Sequence, residues 1–147
     1  AEALGGWVCD RLGALPQEQL TAMWDMYIAG EYGGMNESLA KLYLYTKDEK
    51  YLECAKLFDN TNFFDKLKVN VDDIQQRHAN QHIPQIIGAM ETYNATVVAG
   101  SPEMEYYDVA KNFWEMTVSR YAYSIGGVGT GEKFTYPYTQ AASISSF

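Results

Sequence analysis

The residue types best suited to chemistry are concentrated in the segment 77–84, which reads Arg-His-Ala-Asn-Gln-His-Ile-Pro. Both histidines of the chain, His78 and His82, lie in it, together with two carboxamides. Imidazoles and carboxamides can hydrogen-bond a polyhydroxylated or anionic ligand, and imidazoles can also hold a metal ion. Histidine and asparagine are also ordinary residues at helix starts, where Asn80 could serve as an N-cap. The spacing alone therefore leaves a structural role open beside a functional one.

The composition excludes several kinds of partner. The 147 residues carry a net charge of -8, whereas a nucleic-acid surface needs clustered Lys and Arg. No apolar run is long enough to span a bilayer, and no signal peptide is visible. The 12 tyrosines bring apolar faces with hydroxyls, which suit sugar-binding clefts as well as cores. Cys9 and Cys54 have no metal-type spacing and are interpreted as plain thiols, so they do not fix the compartment.

Apolar residues recur at helical spacing through most of the chain and predict an all-α fold. Capping and breaking residues divide this pattern, with Asp48 and Ser101 as N-caps and Pro16 and Pro102 at first helical positions. The predicted helices occupy roughly residues 7–15, 16–29, 36–45, 49–58, 83–98 and 102–118. Only the segment 124–131 is too rich in glycine for a helix.

An internal repeat groups these helices into hairpins. The pattern Tyr-x-x-x-Ala-Lys-x-Phe at 51–58 recurs at 106–113. Each unit would be a helix, a short polar turn and a second helix, and such units need neighbours on both sides, as in a solenoid or a closed ring. Chance similarity between two amphipathic helices is the alternative. In a ring, the loops at one end would gather around a central cavity that suits a small ligand.

Three loops would face that cavity, namely 31–37, 77–82 and 126–134, all rich in Gly, His, Asn or Glu. Two of their carboxylates also have simpler explanations. Glu37 would be a first-turn carboxylate that is stabilised by the helix dipole. Glu132 would be a solvated turn residue, or else a carboxyl whose proton affinity suits acid/base catalysis.

Five motifs follow one another in a fixed order between residues 31 and 143, which is most of the chain. They are Glu-Tyr-Gly-Gly-Met-Asn-Glu (31–37), Thr-Lys-Asp-Glu-Lys-Tyr-Leu (46–52), His-Ala-Asn with Ile-Pro and Gly (78–88), Phe-Trp (113–114), and Ile-Gly-Gly with Gly-Glu-Lys-Phe (125–134). This series resembles the β-L-arabinofuranosidase-like glycoside hydrolases, long described as a bacterial domain of unknown function. The resemblance implies an (α/α)6 barrel. Because family members are much longer, it also implies that residues 1–147 are one piece of that catalytic domain.

The resemblance also implies roles for individual residues. Glu132 matches the general acid/base of the family. The polar residues that line the sugar pocket of the family match Asn36, Glu37, His78 and Asn80. Where the family pattern reads His-Ala-Asn-Thr-Gln-Ile-Pro, this chain has Gln81-His82. His82 is therefore a further candidate for substrate binding whose role stays open.

The family's nucleophile is a cysteine thiolate held by zinc, in a Glu-x-Cys motif with further cysteines downstream of the acid/base. This chain does not contain the motif, and neither Cys9 nor Cys54 matches those ligands. No metal ligand is therefore predicted within it, and zinc and the nucleophile are expected outside it. The resemblance implies a retaining glycosidase that removes L-arabinofuranosyl groups from plant-type glycans. The 147 residues alone are expected to be inactive.

Two other functions stay open. A non-catalytic helical-hairpin domain would bind glycans or a partner protein, and its saccharide binding would survive Glu132→Gln. A different enzyme on the same toroid, such as an epimerase or a polysaccharide lyase, would use His78 as its base. A pH profile measured with and without a chelator would separate the enzymes.

Overall fold

The computed structural model describes residues 1–136, and nearly all of their regular structure is helical. The helices are α1 Glu2–Gly13, α2 Gln17–Asp25, α3 Tyr27–Gly30, α4 Met35–Thr46, α5 Glu49–Lys56, α6 Thr61–Lys68, α7 Ala79–Val98 and α8 Met104–Met116. A π-helical turn, Thr117–Tyr121, continues α8, and the strands β1 Gly129–Thr130 and β2 Lys133–Phe134 form a short antiparallel hairpin. The prediction of an all-α chain is confirmed. No helix within 1–136 has the length and hydropathy to cross a membrane.

Two helical hairpins correspond to the sequence repeat. Helix α4 packs against α5, α7 packs against α8, and α4 also packs along α7, which joins the two hairpins. The repeated aromatic positions are buried in both units: Tyr51 and Phe58 in the first, Tyr106 and Phe113 in the second. The repeat is therefore a repeated structural unit.

The core has two clusters of buried side chains. One lies among α1, α2, α4 and α5 and includes Trp24, whose ring stacks on Phe58 with 5.1 Å between centroids. The other lies among α6, α7, α8 and β2. Phe134 of β2 is fully buried there, with its ring edge-to-face against Phe113 at 5.8 Å. Burying such a ring contributes on the order of 1.5–3 kcal/mol, which holds the glycine-rich hairpin on the helices.

Helix α7 begins at Ala79, four residues before the predicted start at 83. Its N-cap is His78, whose Nδ1 accepts a hydrogen bond from the Gln81 N–H at 3.2 Å, so a cap at Asn80 is wrong. Pro84 lies inside the helix and lacks the N–H that would pair with residue 80. Proline is usual at the start of a helix, which is why the sequence pattern placed this start too late.

Helix α8 also begins away from its predicted position. It starts at Met104 after the N-cap Glu103, so the predicted cap at Ser101 and first helical position at Pro102 are wrong. The Ser101 N–H donates to the Thr96 carbonyl at 3.1 Å, and the Glu103 N–H donates to Thr96 Oγ1 at 3.1 Å. These bonds hold the connection on the last turn of α7, so α8 cannot start earlier.

The other helix starts differ less from prediction. Asp48 caps α5 as predicted, since its Oδ1 accepts from the Lys50 N–H at 3.1 Å. Pro16 is the N-cap of α2 and not its first residue, a difference of one position. Helix α6 was not predicted, although Asp59 and its N-cap Asn60 are residue types typical of a turn and a helix start.

Helices α4 and α7 approach closely at Gly88. Asn36 of α4 is 1% exposed and its Nδ2 donates to the Gln85 carbonyl at 2.9 Å. A Cβ at Gly88 would lie only 1.9 Å from Asn36 Oδ1. The missing side chain at Gly88 therefore makes room for the amide that ties α4 to α7.

Candidate active site

The glycine-rich hairpin folds back onto the start of α7. The Phe134 N–H donates to the Arg77 carbonyl at 2.9 Å, and the Ala79 N–H donates to the Glu132 carbonyl at 2.7 Å. His78 and Lys133 form an antiparallel β-bridge between these bonds. The hairpin thus adds to the extended residues before α7 and fixes the backbone of residue 132 beside the histidine segment.

Glu132 occupies the tip of that hairpin. Thr130 pairs with Lys133 across the turn, which leaves Gly131 and Glu132 as its two central residues. Their φ angles are +58° and +63°, both in the left-handed region, as a type I′ turn requires. The side chain of Glu132 is 65% exposed, so the turn presents its carboxyl group to solvent.

His78 orients the Glu132 carboxylate. Its Nε2 lies 3.0 Å from Glu132 Oε2, and its ring is buried. Because Nδ1 accepts the Gln81 N–H of the helix cap, the neutral ring carries its proton on Nε2 and donates it to Glu132. Glu31 Oε1 lies 3.8 Å from Nδ1, so a second carboxylate stands near the same imidazole.

His82 lies one helical turn further along and is also buried. Its Nδ1 donates to the His78 carbonyl at 2.8 Å, which leaves Nε2 to accept from Arg77 Nη1 at 3.3 Å. Burial lowers the pKa of His82 to about 4, and the neighbouring positive charge of Arg77 acts in the same direction. His82 is therefore neutral near pH 7 and links the backbone of His78 to the Arg77 guanidinium.

A polar cavity of about 280 Å³ opens against these residues. Charged and polar side chains line most of it, and its lining consists of Trp24, Asp25, Asn60, Gln76, Arg77, His78, Gln81, His82 and Lys133. Asn60 is 1% exposed, and its Oδ1 has no hydrogen-bond partner among the described residues. A buried acceptor without a partner is costly, but this oxygen is enclosed by protein although its residue borders the cavity.

Comparison with known proteins decides the family. The family model for the β-L-arabinofuranosidase GH127 catalytic domain matches residues 1–146. The chain belongs to this family. A separate search of curated proteins found no match to the chain. The family resemblance predicted from the motifs is thereby confirmed.

Three of the predicted site residues of this GH127 chain are brought together. Glu132 and His78 share a hydrogen bond, and the His82 ring donates a hydrogen bond to the His78 carbonyl. Glu31, from the loop 31–37, reaches the same imidazole. The three loops therefore contact one another, but no residue of the loop 31–37 lines the cavity that the repeat predicted for all three.

The other three predicted residues lie elsewhere. The amide of Asn36 is enclosed between α4 and α7, and Glu37 forms an ion pair with Lys41 one turn along α4. Asn80 is exposed on the first turn of α7. None of the three lines the cavity, and their assignment as sugar contacts stays a prediction.

Arg77 and Asn60 line the cavity but were not among the site residues predicted from the sequence. Arg77 pairs with Asp73 and stacks on the Phe63 ring, with Cζ 4.3 Å from the ring centroid, so its guanidinium is held at the cavity wall. Its place at the head of the histidine segment was an available signal. Asn60 is the N-cap of α6 and belongs to none of the motifs identified in the sequence.

The described residues do not fit the zinc site that the family resemblance implies. Within 1–136 no group of three or more His, Cys, Asp or Glu side chains is arranged to hold a metal ion. Cys9 and Cys54 pack in the α1–α5 cluster, whereas Phe134 and Ala79, which flank the Glu132–His78 pair, pack in the other.

Acidification should destabilise the domain through His82. Its pKa is about 4 in the folded chain against 6.5 for a free imidazole, so the unfolded chain takes up the proton first. The contribution of His82 to stability should fall by about 2–3 kcal/mol between about pH 6.5 and pH 4, as each unit of pKa shift corresponds to about 1.4 kcal/mol. Urea unfolding of Asp59→Asn across this interval measures the fall.

Asp59 titrates in the same pH interval, but its protonation has the opposite effect on stability. The measurement must therefore separate the contribution of Asp59 from that of His82. Burial raises the pKa of Asp59 to about 7, so acidification favours the folded state at this residue. The comparison therefore uses Asp59→Asn against Asp59→Asn/His82→Asn. The acid-side fall should be present in the first and absent from the second. Equal falls in both would show that His82 is not its source.

Proposed function

We propose that this chain carries the acid/base part of a retaining glycoside hydrolase that removes L-arabinofuranosyl groups from glycans. Its membership of the GH127 family supports a glycosidase of the arabinofuranosidase type and a glycan as the substrate class. The observation that carries the proposal is the 3.0 Å contact between His78 Nε2 and Glu132 Oε2 beside the polar cavity.

Glu132 would act as the general acid and then as the general base. In a retaining mechanism one carboxyl group protonates the departing glycosidic oxygen and later accepts a proton from the attacking water. The Glu132 carboxyl is exposed enough to meet both. His78 holds Oε2 and leaves Oε1 for the substrate, and its N–H stabilises the carboxylate that forms when the proton leaves.

The cavity would bind the sugar. The side chains of Arg77 and Lys133 supply hydrogen-bond donors at its wall. A furanosyl ring carries hydroxyl groups whose oxygens can accept from these cationic groups. The residues on the described side of the cavity thus match a polyhydroxylated ligand.

The nucleophile is proposed to lie outside residues 1–147, as the family resemblance implies. Neither thiol of this chain packs on the side of the core that carries Glu132. We therefore expect the 147 residues by themselves to show no arabinofuranosidase turnover, because protonation of the leaving group without a nucleophile does not complete the reaction.

The test is hydrolysis of a β-L-arabinofuranoside by the longer protein that this proposal requires, followed by proton NMR of the released sugar. The first-formed arabinose should keep the β configuration, and the 147-residue chain should release none under the same conditions. Inversion, the absence of hydrolysis by the longer protein, or turnover by the chain alone would each contradict the proposal. Binding without hydrolysis would favour a glycan-binding module.

A further inference from the structure

Helices α1 and α5 bring together the two cysteines of the chain, which are 45 positions apart in sequence. Cys54 is 2% exposed, whereas Cys9 is only partly buried. Cys9 Sγ lies 3.9 Å from the Lys50 carbonyl oxygen, one helical turn before Cys54. Both cysteines belong to the same core cluster, so the Cys9 thiol lies beside the turn of α5 that carries Cys54.

The packing around the thiols fixes this arrangement. The Tyr51 hydroxyl on α5 donates to the Glu2 carbonyl on α1 at 3.3 Å. Gly5 faces the same contact, and a Cβ there would lie 2.7 Å from Leu42 Cδ2 and 3.1 Å from the Tyr51 ring. The missing side chain at Gly5 thus lets α1 lie close to α5, one turn before Cys9.

We propose that Cys9 and Cys54 form a reversible disulfide that clamps α1 onto α5 when a small-molecule disulfide is present as oxidant. The inference concerns a site away from Glu132 and does not depend on the proposed glycosidase function. Neighbouring thiols on packed helices reach bonding distance by side-chain rotation when their Cα atoms lie within about 7 Å of each other.

Exchange would proceed in two steps that balance. The accessible Cys9 thiolate attacks one sulfur of the reagent, forms a mixed disulfide and releases one reagent thiolate, which takes up a proton. The Cys54 thiolate then attacks the Cys9 sulfur and displaces the second reagent thiolate. The two protein thiols are oxidised to one disulfide, and the reagent is reduced to two thiols.

The environment of Cys54 sets the order and pace of these steps. Burial raises the pKa of Cys54, and the neighbouring Cys9 thiol acts in the same direction. Since the thiolate is the reacting form, Cys54 reacts second, and closure should be faster at higher pH. The finished bond would close the segment that contains α2, α3 and α4, and would restrict the unfolded chain more than the folded one.

The experiment uses the folded 147-residue chain and oxidised glutathione. Intact mass should fall by two hydrogen atoms with no glutathione retained, and non-reducing peptide mapping should join the Cys9 and Cys54 peptides. The oxidised chain should unfold with a Tm higher by roughly 5–10 °C than the reduced chain, and reductant should reverse this rise.

Two variants test the assigned roles. Cys54→Ser should retain one glutathione on Cys9, because the resolving thiol is gone. Cys9→Ser should stay unmodified, because Cys54 is buried. A doubly glutathionylated wild-type chain, a disulfide-linked dimer, an unreacted wild-type chain or an internal disulfide without a rise in Tm would each overturn the proposal. If a variant fails to fold, the mass and Tm of wild-type chain with and without reductant still decide the outcome.

Discussion

Glu132→Gln in the active glycosidase is expected to lower kcat/KM for a glycan substrate by about 10²–10⁴-fold, the usual contribution of general acid/base catalysis. Glutamine keeps the shape of the side chain and can still accept the His78 N–H, so the hairpin and the cavity should be preserved. What the variant loses is the transferable proton. The loss should therefore appear in the chemical step more than in substrate binding.

The dependence on the leaving group makes this prediction specific. An aryl arabinofuranoside with a good leaving group needs little protonation, so its cleavage should suffer much less in Glu132→Gln than that of the glycan. With this substrate the slow step in Glu132→Gln should be the second one, in which water attacks the glycosyl-enzyme without its general base. Added azide needs no general base, so it should restore turnover of the aryl substrate. Glu115→Gln, the same change at an exposed position of α8, is the matched control and should leave both rates unchanged. Equal losses on both substrates without rescue by azide would argue against an acid/base role.

Gly88→Ala should destabilise the folded chain by about 3–5 kcal/mol, combining overpacking with the loss of a buried hydrogen bond. The new Cβ would overlap the Asn36 amide, which is buried between α4 and α7. Displacing that amide would also remove the bond to the Gln85 carbonyl. The free energy of unfolding in urea at neutral pH measures the effect.

Two further variants control this prediction. Gly6→Ala makes the same change inside α1, where nothing lies within 4 Å of the new Cβ. It should be stabilising by up to about 1 kcal/mol, because alanine is the better helix former. Asn36→Ala/Gly88→Ala vacates the space that the Cβ needs and should be less destabilised than the sum of its single changes. If Gly88→Ala is no less stable than Gly6→Ala, the close contact does not constrain the packing.

The helices were predictable because the apolar periodicity and the repeat agree. Tyr51 and Tyr106 recur with their flanking residues and occupy equivalent buried positions, so a pattern of local spacing was sufficient to find the hairpins. The meeting of the three loops also followed from the repeat, since equivalent ends of repeated units lie on one side. The helix starts were less predictable, because tertiary bonds such as that from Glu103 to Thr96 decide them.

The candidate site was only partly predictable. His78 and Glu132 belong to recognisable motifs, and the hairpin that joins them has a glycine-rich turn visible in the sequence. Asn60 became a site residue only through the packing of α6 beside α2, a long-range contact with no local signal. Asn36 shows the reverse. It belongs to a motif that predicted a sugar contact, but its amide is enclosed where α4 crosses α7.

The left-handed backbone at Glu132 has an evolutionary consequence. A glycine or asparagine adopts that conformation more readily, whereas a glutamate there costs on the order of 1 kcal/mol or more. Selection for thermal stability alone would therefore tend to replace this residue. Selection for turnover would keep it, if Glu132 has the role proposed above. Variant libraries of this domain that are enriched by folding and by activity should accordingly diverge at position 132.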